Sequence, residues 1–267
     1  TAIAKGGRIG MADFTREARK LRKGRDDELI DLLNAQWVDN GKANNAGEAL
    51  GKMIAMVDTS GSMEGDPIEV AIALGIRIAE KSLLGKRVMT FSAEPTWLNL
   101  EDCNGEFVSM VKKVENANWG MSTNFAKALN MILDSIITSK LDAVDVEDMI
   151  LVILSDMQMD VADRTPSTNK SVYDHIELQY HNAGIQVCGK PYKPPHILFW
   201  NLRSTTGFPN LSSQKNTSMM SGYSPTLLNQ FCDEGMTSLQ SCTPWSLLVK
   251  SLENERYKCL DDYVNAI

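Results

Sequence analysis

Two runs in the chain, residues 53–57 and 149–154, are apolar at every position. A strand covered on one face alternates apolar and polar residues, whereas one covered on both faces does not. The runs therefore predict strands buried inside a mostly parallel sheet. Shorter strands are expected at 87–91, 96–100, 196–200 and 217–220. Too few residues separate the second and third strands for a crossover helix, so the third is expected to pair antiparallel at an edge. Helical spacing fills the intervals. Phe14, Ala18 and Leu21, then Leu29, Leu32, Leu33 and Trp37, predict helix over 13–40, broken near Gly24 and stopped at Asp39-Asn40-Gly41. Asp66-Pro67-Ile68-Glu69 reads as a helix start, with Asp as N-cap, Pro in the first turn and Glu closing a capping box. That helix is expected to run to Gly85. Further helices are predicted at 107–114, 124–139, 171–183, 224–232 and 245–254, with loop over 157–170 and 184–195.

Strands alternating with helices give an α/β fold: a doubly wound, mostly parallel six-stranded sheet with one antiparallel edge strand, preceded by an N-terminal helical segment. Residues 1–47 are expected to form a basic, helical extension and residues 48–267 the α/β domain.

Composition narrows the setting. No apolar run approaches the roughly 18 residues of a membrane span, and the first residues lack the apolar block of a signal peptide. The chain starts without methionine, which fits a cut or processed chain and leaves room for a longer parent protein. Five cysteines (Cys103, Cys188, Cys232, Cys242, Cys259) show no paired spacing, which fits free thiols in an intracellular, cytoplasmic compartment. The net charge of −7 is uneven. Residues 1–25 hold eight basic and two acidic side chains, leaving the remainder strongly acidic. A basic arm can contact nucleic acid, but no aromatics are interleaved for base stacking. A solvated helix is the plainer reading, and an acidic body disfavours a broad nucleic-acid surface.

The pointed chemistry lies where the apolar runs end. Asp58, Ser60 and Ser62 follow the first strand, Asp156 ends the fourth, and Thr123 precedes the helix at 124–139. Taken singly, Asp58 and Ser60-Gly61-Ser62 are turn residues, and Thr123 belongs to a helix cap. Together they are placed to converge, because open α/β sheets build their sites just beyond the carboxyl ends of the strands. Two carboxylates and three hydroxyls suit a hard cation, Mg²⁺ above all, with Mn²⁺ or Ca²⁺ as alternatives. The absence of Cys and His from the set argues against zinc. Hydroxyls add no negative charge, so the ion stays electrophilic and an open position favours a partner's carboxylate. His175, His181 and His196 are isolated in sequence, and Trp119 is read as a packed loop aromatic rather than the rim of the site. Neither a G-x-S-x-G elbow nor a Gly-rich phosphate loop with Lys is present.

The pattern Asp58-Thr59-Ser60-Gly61-Ser62, Thr123, Asp156 resembles the metal-ion-dependent adhesion site of von Willebrand factor A domains. Further stretches resemble an uncharacterised family of plants, fungi and giant viruses: Ala35-Gln36-Trp37, Asn118 to Thr123, Leu154-Ser155-Asp156-Met157, Phe199-Trp200-Asn201-Leu202-Arg203 and Ser221-Gly222-Tyr223-Ser224. In that family the C-terminal part is such an A domain, related to that of the Ro ribonucleoprotein autoantigens. The resemblance covers residues 30–260. It implies that Ser60, Ser62 and Thr123 contact Mg²⁺, with Asp58 and Asp156 bound directly or through water. It also implies a virion-associated setting if the chain is viral. No RNA-gripping helical ring is visible. The expected function is metal-dependent capture of a protein partner's Asp or Glu, without catalysis. The alternatives are an RNA-associated protein using the basic arm, or a Mg²⁺-dependent phosphohydrolase with Asp58 as nucleophile and Asp156 and Asp160 at the metal. Aspartyl phosphatases need an acid two residues after the nucleophile. Here that position is Ser60, and a hydroxyl is a poor general acid at neutral pH.

Overall fold

The computed structural model describes residues 5–6, 9–43, 50–117, 124–156, 166–203 and 216–223, with backbone alone for 43 and 166–172. Six strands form one sheet: β1 (Met53–Val57), β2 (Arg87–Thr90), β3 (Trp97–Asn99), β4 (Ile150–Ser155), β5 (His196–Asn201) and β6 (Thr217–Ser221). Their order across the sheet is β3-β2-β1-β4-β5-β6, and all neighbours are parallel except β2 and β3. This is the doubly wound α/β architecture, with the antiparallel strand at an edge as the short 91–96 connection requires. The chain leaves β1 toward β2 on one side and returns to β4 on the other, so the topological switch point lies between β1 and β4. Those strands pair over five consecutive positions, Met53 with Ile150 through Val57 with Leu154.

Seven helices among the described residues cover the two faces. They are α1 (Met11–Lys20), α2 (Asp27–Ala43), α3 (Asp66–Ala79), α4 (Phe107–Glu115), α5 (Phe125–Ser139), α6 (Ala143–Val146) and α7 (Pro166–Cys188). The period of two along β1 divides the core. Met53, Ala55 and Val57 pack with α1 to α4, and Ile54 and Met56 with α5 to α7. All five residues of β1 and all six of β4 are buried, as the uninterrupted apolar runs demand.

The N-terminal helices join the same core. Phe14 of α1, Trp37 of α2 and Phe107 of α4 form one aromatic cluster, with Trp37 and Phe107 stacked at 4.0 Å and Phe14 edge-on to both. Gly24 breaks the segment between α1 and α2 with φ of +82°. The buried Arg77 of α3 lies 3.6 Å over the Trp37 ring, donates to the Trp37 and Asn40 oxygens, and pairs with Glu80. Glu80 in turn accepts from the Trp37 indole.

Several expectations about helix ends are corrected. α2 continues through Asp39-Asn40-Gly41 to Ala43, and α7 starts at Pro166, inside the stretch read as loop. Gly65, at φ +97°, is the N-cap of α3, and no side chain caps that end. The acids read as cap and capping box reach α1 instead: Asp66 pairs with Arg16 and Glu69 with Arg19. The helix also ends at Ala79 rather than near Gly85. In α7, Gly184 does not stop the helix, which runs to Cys188. A Cβ there would lie 2.3–2.4 Å from the backbone at Tyr192 and Lys190, so this glycine serves close packing, not termination. The helices expected at 224–232 and 245–254 lie outside the described residues.

Candidate metal centre

The site is built from the ends of β1 and β4. The ladder carries one step past β1, where the Asp58 N–H donates to the Leu154 carbonyl at 3.0 Å. Asp58 is therefore held by sheet geometry, and it is 3% exposed. Its Oδ1 accepts from the Ser60 N–H at 2.8 Å, and its Oδ2 accepts from the Ser155 hydroxyl at 2.7 Å. The loop then folds into a single 3-10 turn, Gly61–Met63. Met63 is its anchor, wholly buried in the core shared with α3. Gly61 is exposed, and a Cβ there would meet nothing within 4 Å. With the turn pinned at both ends, the Ser60 and Ser62 hydroxyl oxygens stand 3.0 Å apart.

Asp156 follows β4 and is 1% exposed. Burial pushes the Asp58 carboxyl above the usual carboxylate range. Hydrogen bonds from Ser60 and Ser155 oppose the rise, and the nearby Asp156 charge adds to it. Two buried like-charged groups at a strand-end crevice form an arrangement that a cation relieves. The hydroxyl pair adds a geometric criterion. Oxygens in adjacent octahedral positions around Mg²⁺, each about 2.1 Å from the ion, lie about 3.0 Å apart. The Ser60–Ser62 separation meets that spacing, which is also that of a hydrogen bond between the two hydroxyls. The donor set is all oxygen, which suits a hard cation. Among the described residues no group of three or more His, Cys, Asp or Glu is placed to hold a metal ion, so a cation site built from these residues would draw on the hydroxyls as well as the carboxylates.

Of the five residues singled out in the sequence, the structure thus gathers Asp58, Ser60 and Ser62 in one loop and sets Asp156 against them. Thr123 lies outside the described residues. Its neighbour Asn124 caps α5 by accepting from the Lys127 N–H, and its own N–H points to the Ser92 carbonyl at 3.4 Å, just past β2. Sequence reasoning missed Ser155 and Arg203. The register that sets Val57 beside Leu154 carries Asp58 to Ser155, so the matched ends of the two apolar runs were the available signal for Ser155. Arg203, two residues past β5, donates from Nη2 to the Glu64 carbonyl at 2.7 Å. No local pattern announces that contact, which spans 139 positions.

The fold and this crevice define a doubly wound α/β protein with a polar, strand-end candidate site. Residues 52–258 match the family described as Domain of unknown function (DUF7788), and the chain belongs to that family. It is similar to Uncharacterized protein L728 of Acanthamoeba polyphaga mimivirus, at 32% identity over 226 residues, covering 83% of this chain and 36% of that protein. It is also similar to Regulatory protein ViaA of Proteus mirabilis (strain HI4320), at 30% identity over 151 residues, covering 55% of this chain and 29% of that one. The chain thus spans about a third of the length of these curated relatives. Among solved structures, the Deinococcus radiodurans Ro (RSR) protein aligns with a TM-score of 0.48 at 14% identity, covering 77% of this chain and 39% of that one. No helix among the described residues is long and apolar enough to cross a membrane.

Proposed function

We propose that the chain is a divalent-metal-dependent protein-binding module of the von Willebrand factor A type, whose strand-end crevice captures an Asp or Glu of a partner. The observation that carries this reading is the Ser60–Ser62 hydroxyl pair, 3.0 Å apart beside the buried carboxylates of Asp58 and Asp156. In this reading Ser60, Ser62 and Thr123 hold Mg²⁺, and Asp58 and Asp156 balance its charge directly or through water. The metal supplies an electrophilic open position for a carboxylate. The chain's own residues supply rigidity. Asp58 is fixed by the Leu154 carbonyl, Ser60 and Ser155, and the hydroxyl loop by buried Met63.

Two further observations favour binding over phosphohydrolysis. Both oxygens of Asp58 already accept hydrogen bonds, which suits a holding role better than attack on phosphorus. The position of a phosphatase general acid is the Ser60 hydroxyl, whose ordinary acidity is ill-matched to proton donation at pH 7. The basic helix α1 offers little support to nucleic-acid binding, since Arg16, Arg19 and Lys20 are paired with acids of the protein itself.

Calorimetric titration with Mg²⁺, followed by capture of interacting proteins with and without chelator, tests the reading. Ser60→Ala and Thr123→Ala are expected to weaken Mg²⁺ binding and capture together while circular dichroism stays unchanged. Capture indifferent to chelator and to Asp58→Ala would refute the metal bridge. Mg²⁺-dependent phosphatase turnover abolished by Asp58→Asn would replace it with the hydrolytic alternative.

A further inference from the structure

Arg203 is a cation whose charge the described structure does not use. β5 is the second strand along from β1, so at about 4.8 Å per strand its exit lies roughly 10 Å from the Asp58 loop. Arg203 closes that interval. Its backbone N–H donates to the Asn201 side-chain oxygen at 2.9 Å, and its Nη2 donates to the Glu64 carbonyl, on the far side of the hydroxyl turn. Leu202, wholly buried, fixes the base of this segment, and its N–H donates to the Ser155 carbonyl at 3.0 Å. The guanidinium thus reaches from β5 to the loop after β1, across the end of β4, where Ser155 and Asp156 stand. Its Nε is buried with no hydrogen-bond partner, and among the described residues no carboxylate pairs with it. Among the other described arginines that are buried or half-buried, Arg87 likewise lacks a carboxylate, donating to the Leu84 carbonyl and lying over the Trp97 ring, whereas the rest have one. Arg19 has Glu69 and Glu115, and Arg77 has Glu80.

We infer that Arg203 is a second recognition point for the captured acidic residue, placing a guanidinium beside the carboxylate that the metal position takes. This rests on the proposed metal-binding function. Among the described residues that line the crevice, a divalent ion would neutralise Asp58 and Asp156, and Arg203 would then leave one positive charge. One positive charge matches a single carboxylate. A phosphate dianion or a nucleic-acid backbone asks for more, and the chain as a whole carries −7, which repels polyanions. A planar guanidinium also discriminates in geometry, because its fork fits the two oxygens of a carboxylate. The predicted ligand is an exposed Asp or Glu in an otherwise neutral peptide segment.

The experiment uses the full chain and two blocked peptides, acetyl-Gly-Asp-Gly-amide and its Asn counterpart, titrated by NMR with Mg²⁺ present and then with chelator. Mg²⁺ affinity is measured separately by calorimetry. The expected result is binding of the Asp peptide and not the Asn peptide. Arg203→Gln should weaken it about five- to tenfold, with Arg203→Lys intermediate, and Mg²⁺ affinity unchanged. If Arg203→Gln lowered Mg²⁺ affinity by the same factor, Arg203 would merely position the loop and the inference would fall. It would fall equally if the Mg²⁺-loaded chain did not distinguish Asp from Asn. Tighter binding of inorganic phosphate or a single-stranded RNA oligomer at the same residue would also overturn it. Binding of the Asp peptide through Arg203 in a chain that takes up no Mg²⁺ would uphold Arg203 and sink the metal reading.

Discussion

Asp58 is the residue on which structure and chemistry pull in opposite directions. Burial and the Asp156 charge hold its carboxyl above the ordinary value of 3.8, against the hydrogen bonds of Ser60 and Ser155. A raised folded-state value means that protonation favours the fold. The corresponding stability is present below the unfolded value and is lost as pH rises through the folded one. The charged form of Asp58 is therefore the one that weakens the metal-free fold. Asp58→Asn keeps an oxygen for the Ser60 N–H and removes the charge. It is expected to raise the melting temperature of the metal-free protein by a few degrees, from about 1 kcal/mol. It should also flatten the pH dependence just above the carboxylate range and abolish Mg²⁺ binding. Ser155 is the complementary test. Its hydroxyl donates to the charged carboxylate, a bond worth about 1.5–3 kcal/mol. Ser155→Ala is expected to weaken Mg²⁺ binding about tenfold in calorimetry with the fold intact. Asp58 and Asp156 were legible because each terminates an apolar run. Ser155 was not, because a serine at a strand end is locally unremarkable and gains its role only through the β1–β4 register.

At the scale of elements, buried strands were the easiest to read and helix ends the hardest. A strand covered on both faces has to be apolar throughout, so β1 and β4 declare themselves. Helix ends depend on distant partners. Asp66 and Glu69 have the residue types and spacing of a capping box, yet α1 supplies arginines for both. Gly184 has the look of a helix stop, yet it remains helical because the 190–192 backbone passes against it. The same dependence ties α1 and α2 into the sheet's core. Phe14 and Trp37 are almost fully buried, and they lie upstream of residue 52, where the family match begins. Trp37→Ala removes the ring on which Phe107 stacks and over which Arg77 lies, and it leaves Glu80 without the indole N–H. The expected loss is about 3–5 kcal/mol, read as a drop of roughly 10 °C in thermal melting. A negligible change would show that α2 contributes little to the core's stability.

For the whole molecule, the site is a property of the winding rather than of any single loop. The chain passes from β1 to β2 on one side and to β4 on the other, and the crevice this opens receives the only strand ends that carry Asp58 and Asp156. Binding of the proposed ion there would be linked to global stability. Mg²⁺ at about 100 times its dissociation constant would add about 2.7 kcal/mol, so chelator is expected to lower the melting temperature by about 5–10 °C in the wild type. Asp58→Ala should be insensitive. The five-position ladder between β1 and β4 has a consequence for ion choice. Carboxylates mounted on loops can spread to admit a larger ion with seven or eight ligands. Asp58, held by the ladder, and Asp156, one residue past β4, have little such latitude. Ca²⁺ needs oxygens at about 2.3–2.6 Å, against about 2.0–2.1 Å for Mg²⁺. A frame that cannot dilate selects by ionic radius, and competition calorimetry is expected to rank Mg²⁺ and Mn²⁺ ahead of Ca²⁺.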